Sequence, residues 1–206
     1  MKNYSLLFIC TGNICRSPTF EGVFRKLLSD NNLNNYIFVD SAGTRDYHTG
    51  EPADRRSVEY ANKRGYDLSM IRSRQVCSKD FIDFDLLLAL DKSHYKELLD
   101  LSPKKYTSKI KLFLSYIGNK SLQDVPDPYY GGREGFEQVI DMAERGMNTS
   151  EIADILFEKR VKRLSNEWRA VNTILSQKED EPKDHAQDTS DNYIAPQALS
   201  RIIKKI

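Results

Sequence analysis

The chain contains few cysteines, no long apolar run and no excess of charge of either sign. With three cysteines in 206 residues and no metal-binding spacing around them, neither a disulfide scaffold nor a zinc site is expected. The near balance of 31 basic and 30 acidic residues gives no broad positive surface, so nucleic acid is not an expected partner. No stretch approaches the roughly 18 apolar residues of a membrane span, and the run at residues 6–10 is shorter than a signal-peptide core. A globular protein of the reducing cytoplasm is therefore predicted.

Four short apolar runs alternate with stretches of helical periodicity. Each run is expected to form a buried strand. The runs occupy residues 6–10, 36–39, 85–90 and 109–114. The helices predicted between and after them cover residues 17–29, 52–63, 92–101 and 134–145. This alternation favours an α/β fold with a parallel sheet, in which ligands bind at the carboxyl ends of the strands.

Composition divides the chain into four predicted segments. Residues 1–146 hold the α/β domain, and residues 147–177 keep apolar positions near helical spacing, which predicts a long helical extension. Residues 178–192 are acidic and aperiodic, which predicts a flexible linker, and residues 193–206 combine apolar and basic positions, which predicts a basic amphipathic tail. Self-association and contact of the tail with an anionic membrane are candidate roles. The start of the extension has a weak helix-turn-helix pattern without a recognition helix, so DNA binding is not favoured.

The loop between the first predicted strand and the first predicted helix carries the candidate chemistry. Its sequence at residues 10–17 is Cys-Thr-Gly-Asn-Ile-Cys-Arg-Ser. Backbone N–H groups at such a turn and the positive end of the helix favour a tetrahedral dianion. Arg16 adds a planar fork that binds two phosphate oxygens. Cys10 lies in the same positive field, which favours the nucleophilic thiolate over the thiol.

Other residues complete a site for phosphoryl transfer to sulfur. Gly12 and Asn13 tolerate the left-handed backbone angles that a tight loop needs. Ser17 is expected to donate a hydrogen bond to the Cys10 thiolate and assist it as a leaving group. The departing oxygen needs an acid, and Asp127 is the candidate, because its Asp-Pro segment follows the last predicted strand on the crevice side.

The loop at residues 10–17 and the Asp-Pro-Tyr-Tyr segment at residues 127–130 together resemble the low molecular weight protein tyrosine phosphatases. The likeness extends from residue 4 to residue 145, with further matching segments at residues 40–44, 74–75 and 90–91. The resemblance implies a four-stranded parallel sheet flanked by helices. It also implies hydrolysis of phosphotyrosine-containing proteins through a cysteinyl-phosphate intermediate, without metal or other cofactor.

The resemblance also implies roles for the matching residues. Cys10 matches the nucleophile, Arg16 the clamp on the phosphate and transition state, and Asp127 the general acid and then base. The residues implied in substrate binding are Thr11, Gly12, Asn13, Ile14, Cys15, Ser17, Tyr47, Tyr129 and Tyr130. Ser41, with Asn13 and Ser17, matches the hydrogen-bond network that holds the loop in shape in that family. An aromatic rim would stack on a phosphotyrosine ring and exclude shorter phosphoserine.

Cys15 and Ile71 bear on the oxidation of the nucleophile and on the rigidity of the loop, respectively. Cys15 matches a second loop cysteine of the family that forms a reversible disulfide with the nucleophile, which implies a redox-sensitive site. Ile71 stands where many relatives carry a histidine, so Ser41 or Asn13 is expected to have fewer partners and the loop to be less rigid or completed by water. Surface positions without a catalytic role are expected for the three histidines, His48, His94 and His185.

Other functions share parts of this pattern. Arsenate reductases have a similar loop, but their chemistry needs further cysteines after the third strand, and residues 86–91 contain none. Arginine phosphatases of this fold usually have a small polar residue at the position of Ile14 and a less aromatic segment after Asp-Pro. A phosphopeptide-binding module without catalysis has no need of Cys10, Arg16 and Asp127 together. Phosphotyrosine hydrolysis is the favoured interpretation.

Overall fold

Four parallel strands form one sheet, as the four apolar runs predicted. The computed structural model describes residues 4–116 and 124–147. The strands are β1 (Tyr4–Cys10), β2 (Ile37–Gly43), β3 (Leu86–Ala89) and β4 (Ile110–Leu112). Their order in the sheet is β2-β1-β3-β4, and all three neighbouring pairs are parallel. The predicted α/β class is confirmed.

Six α-helices flank the sheet in this part of the chain, and four of them match the predicted helices. They are α1 (Arg16–Asp30), α2 (Arg55–Lys63), α3 (Asp80–Asp83), α4 (Lys92–Leu101), α5 (Phe113–Tyr116) and α6 (Arg133–Met147), with a 3-10 helix at Lys104–Lys109. The helix predicted from residue 52 begins later, because the Asp54 side chain accepts a hydrogen bond from the Arg56 backbone N–H (2.8 Å) and caps the first turn.

The last predicted strand is shorter than expected. It ends at Leu112, and the next two residues, Phe113 and Leu114, begin α5. Both side chains are buried in the same apolar cluster as Phe8 and Phe20. A short apolar run has the same composition in a buried strand and in a buried helical turn, so the pattern alone does not separate them.

The side chains of β1 alternate between two layers of the core. Leu6 and Phe8 face the layer that contains residues of α1 and α6, whereas Leu7 and Ile9 face the layer that contains residues of α3 and α4. All four side chains are fully buried. The sheet is therefore covered on both faces, which explains why its strands are continuous apolar runs rather than alternating ones.

Four phenylalanine rings form the centre of the first layer. Their ring centroids are 4.8 to 6.2 Å apart, and the pair Phe20 and Phe113 meets edge to face at 87°. Edge-to-face contact is a favourable arrangement for aromatic rings. The rings are those of Phe8, Phe20, Phe24 and Phe113. They hold α1, and with it the loop before α1, against the sheet.

The strand order produces a crevice at the carboxyl end of β1. From β1 the chain passes through α1 to β2 on one side, while β3 lies on the other side of β1. The connections that follow β1 and β3 therefore leave the sheet edge in opposite directions, and ligands of such sheets bind at this position. The loop at residues 11–15 and the turn at Asp91 both lie at this edge.

Most of the predicted C-terminal segments lie outside the described residues. Met147, the last residue of α6, is the first residue of the predicted extension. The remainder of that extension, the predicted linker at residues 178–192 and the predicted tail at residues 193–206 stay predictions. Across residues 4–116 and 124–147, no helix is both long enough and apolar enough to span a membrane.

Truncation of Phe20 should destabilise the protein strongly. The ring is fully buried and contacts the rings of Phe8 and Phe113, so we expect Phe20→Ala to lower the free energy of unfolding by about 3–5 kcal/mol in urea denaturation. Met70→Ala is the control, because the Met70 side chain is 78% exposed, and its effect should stay within about 0.5 kcal/mol. Similar values for the two variants would contradict the described core.

Candidate active site

The loop at residues 11–15 connects β1 to α1 and forms the floor of the crevice. Asn13 has a φ of 54°, in the left-handed region, as predicted. Gly12 does not have a positive φ; a Cβ atom there would lie 3.1 Å from His48 Cδ2, so close packing favours glycine instead. At the end of β2, a Cβ atom on Gly43 would lie 2.5 Å from the Thr11 carbonyl oxygen. The loop therefore rests directly on the backbone of β2.

Cys10 is buried at the end of β1, beside the first turn of α1. Its Sγ atom lies 3.0 Å from Ser17 Oγ. Ser17 Oγ also lies 3.3 Å from the Ala42 carbonyl oxygen and accepts a hydrogen bond from the Asn13 amide (2.8 Å). Since the hydroxyl has a single hydrogen, it can donate either to Ala42 or to a Cys10 thiolate. Ser17 is thus placed to stabilise the ionised sulfur.

A buried hydrogen-bond network holds the loop from behind. The Asn13 amide nitrogen donates to Ser17 Oγ and to Ser41 Oγ, both at 2.8 Å, and the Asn13 amide oxygen accepts from the Arg74 backbone N–H at 2.9 Å. Ser41 in turn donates to Glu21 Oε2 at 2.5 Å. Burial raises the pKa of Glu21 above its ordinary value, although the hydrogen bond from Ser41 opposes this shift. Both polar atoms of the Asn13 side chain therefore have partners.

The expectation that Ile71 leaves Ser41 or Asn13 with fewer partners is wrong. Glu21 completes the hydrogen bonds of Ser41, and the Arg74 backbone completes those of Asn13. Ile71 itself is 5% exposed and packs in a separate apolar cluster whose other buried members are Ala53, Ala61 and Leu68. The sequence analysis missed Glu21 because a glutamate in a helix is ordinarily a surface residue.

The guanidinium of Arg16 is almost completely buried and makes four hydrogen bonds through its two Nη atoms. Nη1 donates to Asp91 Oδ2 at 2.8 Å and to the Val125 carbonyl oxygen at 3.2 Å. Nη2 donates to Asp127 Oδ2 at 2.9 Å and to Thr11 Oγ1 at 3.2 Å. Arg16 therefore connects the loop after β1 with the segments that contain Asp91 and Asp127.

His94 is buried next to this arginine, which corrects the prediction that it is a surface residue. It is 1% exposed, its Nε2 lies 2.8 Å from Thr11 Oγ1, and its Nδ1 lies 3.0 Å from Asp91 Oδ1. Thr11 accepts from Arg16, so its hydroxyl hydrogen is assigned to His94 Nε2. Burial lowers the pKa of His94 to about 4; the charge of Asp91 opposes this shift, and the charge of Arg16 adds to it. The imidazole is neutral at pH 7.

A pocket of about 240 Å³ opens above the loop. It brings together most of the predicted site residues and adds His48, which the sequence analysis assigned to the surface. The lining residues are Cys10, Thr11, Gly12, Ile14, Cys15, Arg16, Tyr47, His48, Asp127, Tyr129 and Tyr130. Asn13, Ser17 and Ser41 do not line it, because they are buried behind the loop. His185 lies outside the described residues.

Aromatic side chains form the rim of the pocket. Tyr47 and Tyr130 are 70% and 94% exposed, and Tyr129 is 40% exposed. The rings of Tyr129 and Tyr130 meet edge to face with centroids 5.0 Å apart. A planar ring that enters the pocket therefore finds apolar surfaces at its mouth and polar groups at its floor.

Cys15 lines the pocket but differs from Cys10 in its surroundings. Burial raises the pKa of the Cys15 thiol to about 12, so Cys15 is a thiol at neutral pH. All three cysteines are free, and Cys77 is exposed and does not line the pocket. Within the described ranges, no cluster of three or more His, Cys, Asp or Glu side chains is arranged to hold a metal ion.

Comparison with known proteins places the chain among enzymes. A family model described as low molecular weight phosphotyrosine protein phosphatase matches residues 5–164, so the match continues into the predicted helical extension. The low molecular weight protein-tyrosine-phosphatase of Streptomyces coelicolor is 43% identical over 145 residues, which cover 68% of this chain and 87% of that protein. The human low molecular weight phosphotyrosine protein phosphatase is 41% identical over 143 residues, covering 68% and 89%.

Solved structures show the same similarity. A protein tyrosine phosphatase from Entamoeba histolytica, with Hepes in its active site, matches with a TM-score of 0.69 and 42% identity, over 76% of this chain and 98% of that one. Wzb of Vibrio vulnificus, in complex with benzylphosphonate, matches with a TM-score of 0.61 and 33% identity, over 70% and 94%.

The neutral, buried state of His94 predicts a loss of stability in acid. Between pH 6.5 and the folded-state pKa of about 4, the unfolded chain binds a proton that the folded chain does not, so stability falls as the pH falls. Relative to His94→Gln, which keeps an acceptor for Thr11, the wild type should lose about 2 kcal/mol more free energy of unfolding between pH 7.5 and pH 5. Parallel pH profiles of urea denaturation for the two proteins would show this assignment to be wrong.

Proposed function

Because the chain belongs to the low molecular weight phosphotyrosine protein phosphatase family and is a hydrolase of this type, we propose that it hydrolyses phosphotyrosine through a phosphate ester of Cys10. The observation that carries the proposal is the convergence of Cys10, Arg16 and Asp127 in one pocket. The contact between Arg16 and Asp127, 2.9 Å long, links the phosphate-binding loop to the candidate acid.

In the proposed first step, Cys10 Sγ attacks phosphorus while the bond from phosphorus to the tyrosine oxygen breaks. The N–H groups of the loop and the Arg16 fork bind the equatorial oxygens of the phosphate and the negative charge on them. Asp127 gives its proton to the departing tyrosine oxygen, which avoids release of a phenolate. A phosphate that takes up the Arg16 fork also releases the Asp127 carboxyl from Arg16 and leaves it free to face the departing oxygen.

In the proposed second step, the Asp127 carboxylate accepts a proton from a water molecule as the water attacks phosphorus. The bond between sulfur and phosphorus breaks, inorganic phosphate forms, and the electron pair returns to Cys10. The Ser17 hydroxyl, 3.0 Å from Sγ, then stabilises the thiolate by donating its hydrogen. This donation lowers the cost of expelling sulfur and so assists turnover.

The pocket supports phosphotyrosine over smaller or more polar substrates. Tyr47, Tyr129 and Tyr130 offer ring surfaces at the mouth, and a phenyl ring is long enough to carry the phosphate to the floor. Benzylphosphonate, the ligand in the Vibrio vulnificus structure, has this same combination of ring and phosphorus group. Ile14 lines the pocket, and an apolar side chain there favours a ring over a guanidinium.

The redox role of Cys15 is a second part of this proposal. A peroxide would oxidise the Cys10 thiolate to a sulfenic acid, and the Cys15 thiol would then displace water to form a disulfide. Both cysteines line the same pocket. Free cysteines are typical of a reducing compartment, so a cytoplasmic location is also proposed. Self-association or membrane contact through residues 147–206 stays a prediction from the sequence.

Substitution of Cys10 and Asp127 tests the mechanism. We expect Cys10→Ser to abolish phosphate release from phosphotyrosine peptides while still binding them, and Asp127→Asn to lower kcat/KM by about 10²-fold to 10⁴-fold. Cys77→Ser and Asp100→Asn are the matched controls, because both residues are exposed away from the pocket. Phosphoserine and phosphoarginine peptides, and thiol-coupled reduction of arsenate, complete the substrate panel.

The outcomes of that experiment separate the alternatives. Release of phosphate from phosphoarginine but not from phosphotyrosine would favour an arginine phosphatase, and arsenate reduction would favour a reductase. A wild-type protein that turns over none of these substrates, together with Cys10→Ser that binds phosphotyrosine peptide, would indicate a binding module.

Substitution of Cys15 tests the redox proposal. After brief treatment with hydrogen peroxide, the wild type should regain most of its activity with dithiothreitol, because the disulfide is reducible. Cys15→Ser should regain much less, since its Cys10 proceeds to sulfinic acid. Equal recovery of the two proteins, measured as phosphatase activity against the untreated samples, would argue against a disulfide between these residues.

A further inference from the structure

Arg56, the second residue of α2, lies between the nucleophile loop and the segment that contains Asp127. Its Nη1 donates to the Tyr129 carbonyl oxygen at 3.0 Å. Its guanidinium carbon lies 5.3 Å from the centre of the Tyr129 ring and 4.8 Å from the centre of the Phe136 ring. Arg56 thus binds Tyr129, two residues after Asp127, through both backbone and ring.

The position of Arg56 is itself fixed by Asp54. The Asp54 carboxylate accepts hydrogen bonds from Arg56 Nε at 3.0 Å and from Nη2 at 2.8 Å, which is the bidentate geometry that orients a guanidinium most firmly. These hydrogen bonds lower the pKa of Asp54 below its ordinary value, so the carboxylate is ionised at neutral pH. The Asp54 backbone N–H donates to the Ile14 carbonyl oxygen at 2.8 Å. Asp54 is therefore attached to the nucleophile loop.

These contacts form a continuous connection from one side of the pocket to the other. It runs from the Ile14 carbonyl through Asp54 and Arg56 to the Tyr129 carbonyl. On the other side of Asp127, the Val125 backbone N–H donates to the Leu90 carbonyl at 2.8 Å. The Asp127 segment is thus held at two points, one near β3 and one at Arg56.

The attachment of the Asp127 segment to Arg56 matters most when a phosphate is bound. In the proposed mechanism the Arg16 fork turns to the phosphate, and its contact with Asp127 is given up. The Asp127 side chain is 44% exposed, and its carboxyl is then held by the Tyr129 backbone N–H, which donates to Oδ1 at 3.1 Å. An acid that is misplaced by about 1 Å loses much of its catalytic effect.

We propose that Arg56 is a positioning residue that holds Asp127 at proton-transfer distance from the departing oxygen, through the Asp54 carboxylate and the Tyr129 carbonyl. The inference rests on the proposed role of Asp127 as the acid. Arg56 does not line the pocket, so its effect is on the geometry of the acid rather than on the phosphate itself.

The test compares two substrates that differ in their need for an acid. Free phosphotyrosine releases a poor leaving group and needs the proton, whereas p-nitrophenyl phosphate releases a good leaving group and needs it far less. Both substrates carry a phenyl ring, so a change in ring stacking on Tyr129 should affect both alike. The quantity compared is the ratio of kcat/KM for phosphotyrosine to kcat/KM for p-nitrophenyl phosphate, in which such a change cancels. That ratio should fall about tenfold in Arg56→Met and by more in Asp127→Asn, which removes the acid outright.

Three further variants make the result specific. Arg55→Met is the matched control, since Arg55 is the neighbouring arginine and is exposed, and its ratio should equal that of the wild type. Arg56→Lys keeps the charge but not the fork, so it should not restore the ratio. Asp54→Asn removes the charge and one of the two oxygens that orient Arg56, so it should lower the ratio as well. This second variant keeps the test available if Arg56→Met folds poorly.

The possible outcomes distinguish this inference from the proposed function. If Asp127→Asn lowers the ratio while Arg56→Met, Arg56→Lys and Asp54→Asn leave it at the wild-type value, the positioning role is refuted and the proposed function stands. Full restoration by Arg56→Lys would also refute it, because charge alone would then suffice. If Asp127→Asn leaves the ratio unchanged, the proposed acid is wrong and the role of Arg56 is refuted with it.

Discussion

The hydrogen bonds of the Asn13 side chain are the constraint on which the site depends. Asn13 occupies a left-handed conformation that costs free energy for a residue other than glycine. Its amide repays that cost by bonding Ser17 on α1, Ser41 on β2 and the backbone of Arg74. Because these partners belong to three different segments of the chain, the loop has one shape, and that shape fixes the positions of both Cys10 and Arg16.

Much of the fold followed from local signals in the sequence. The strand that ends at Cys10 and the helix that begins at Arg16 were predictable because apolar runs and helical spacing act over a few residues. The loop residues were predictable because glycine, asparagine, cysteine and arginine each have a distinct chemistry at a helix start. The error at Phe113 and Leu114, which are helical, arose because burial gives strands and helices the same apolar composition.

The residues that the sequence analysis missed are those whose partners are distant along the chain. Thr11 and His94 are 83 residues apart, and Arg56 and Tyr129 are 73 residues apart. A histidine or an arginine in a predicted helix gives no local signal of a functional role. The roles of His94 and Arg56 become visible only in the folded arrangement. The position of the Asp-Pro segment after the last predicted strand was enough to single out Asp127, but not to identify the side chains that order it.

The floor of the pocket is buried and its rim is exposed, and this difference affects how the sequence of the protein can diverge. Asn13 and Ser17 are wholly enclosed, whereas Tyr47 and Tyr130 are 70% and 94% exposed. Substitutions at exposed positions usually alter folding free energy little. Mutation can therefore remodel the residues that meet the peptide around a phosphotyrosine while the hydrolytic machinery stays intact. Such an architecture allows substrate preference to diverge among descendants without a passage through unfolded or inactive forms.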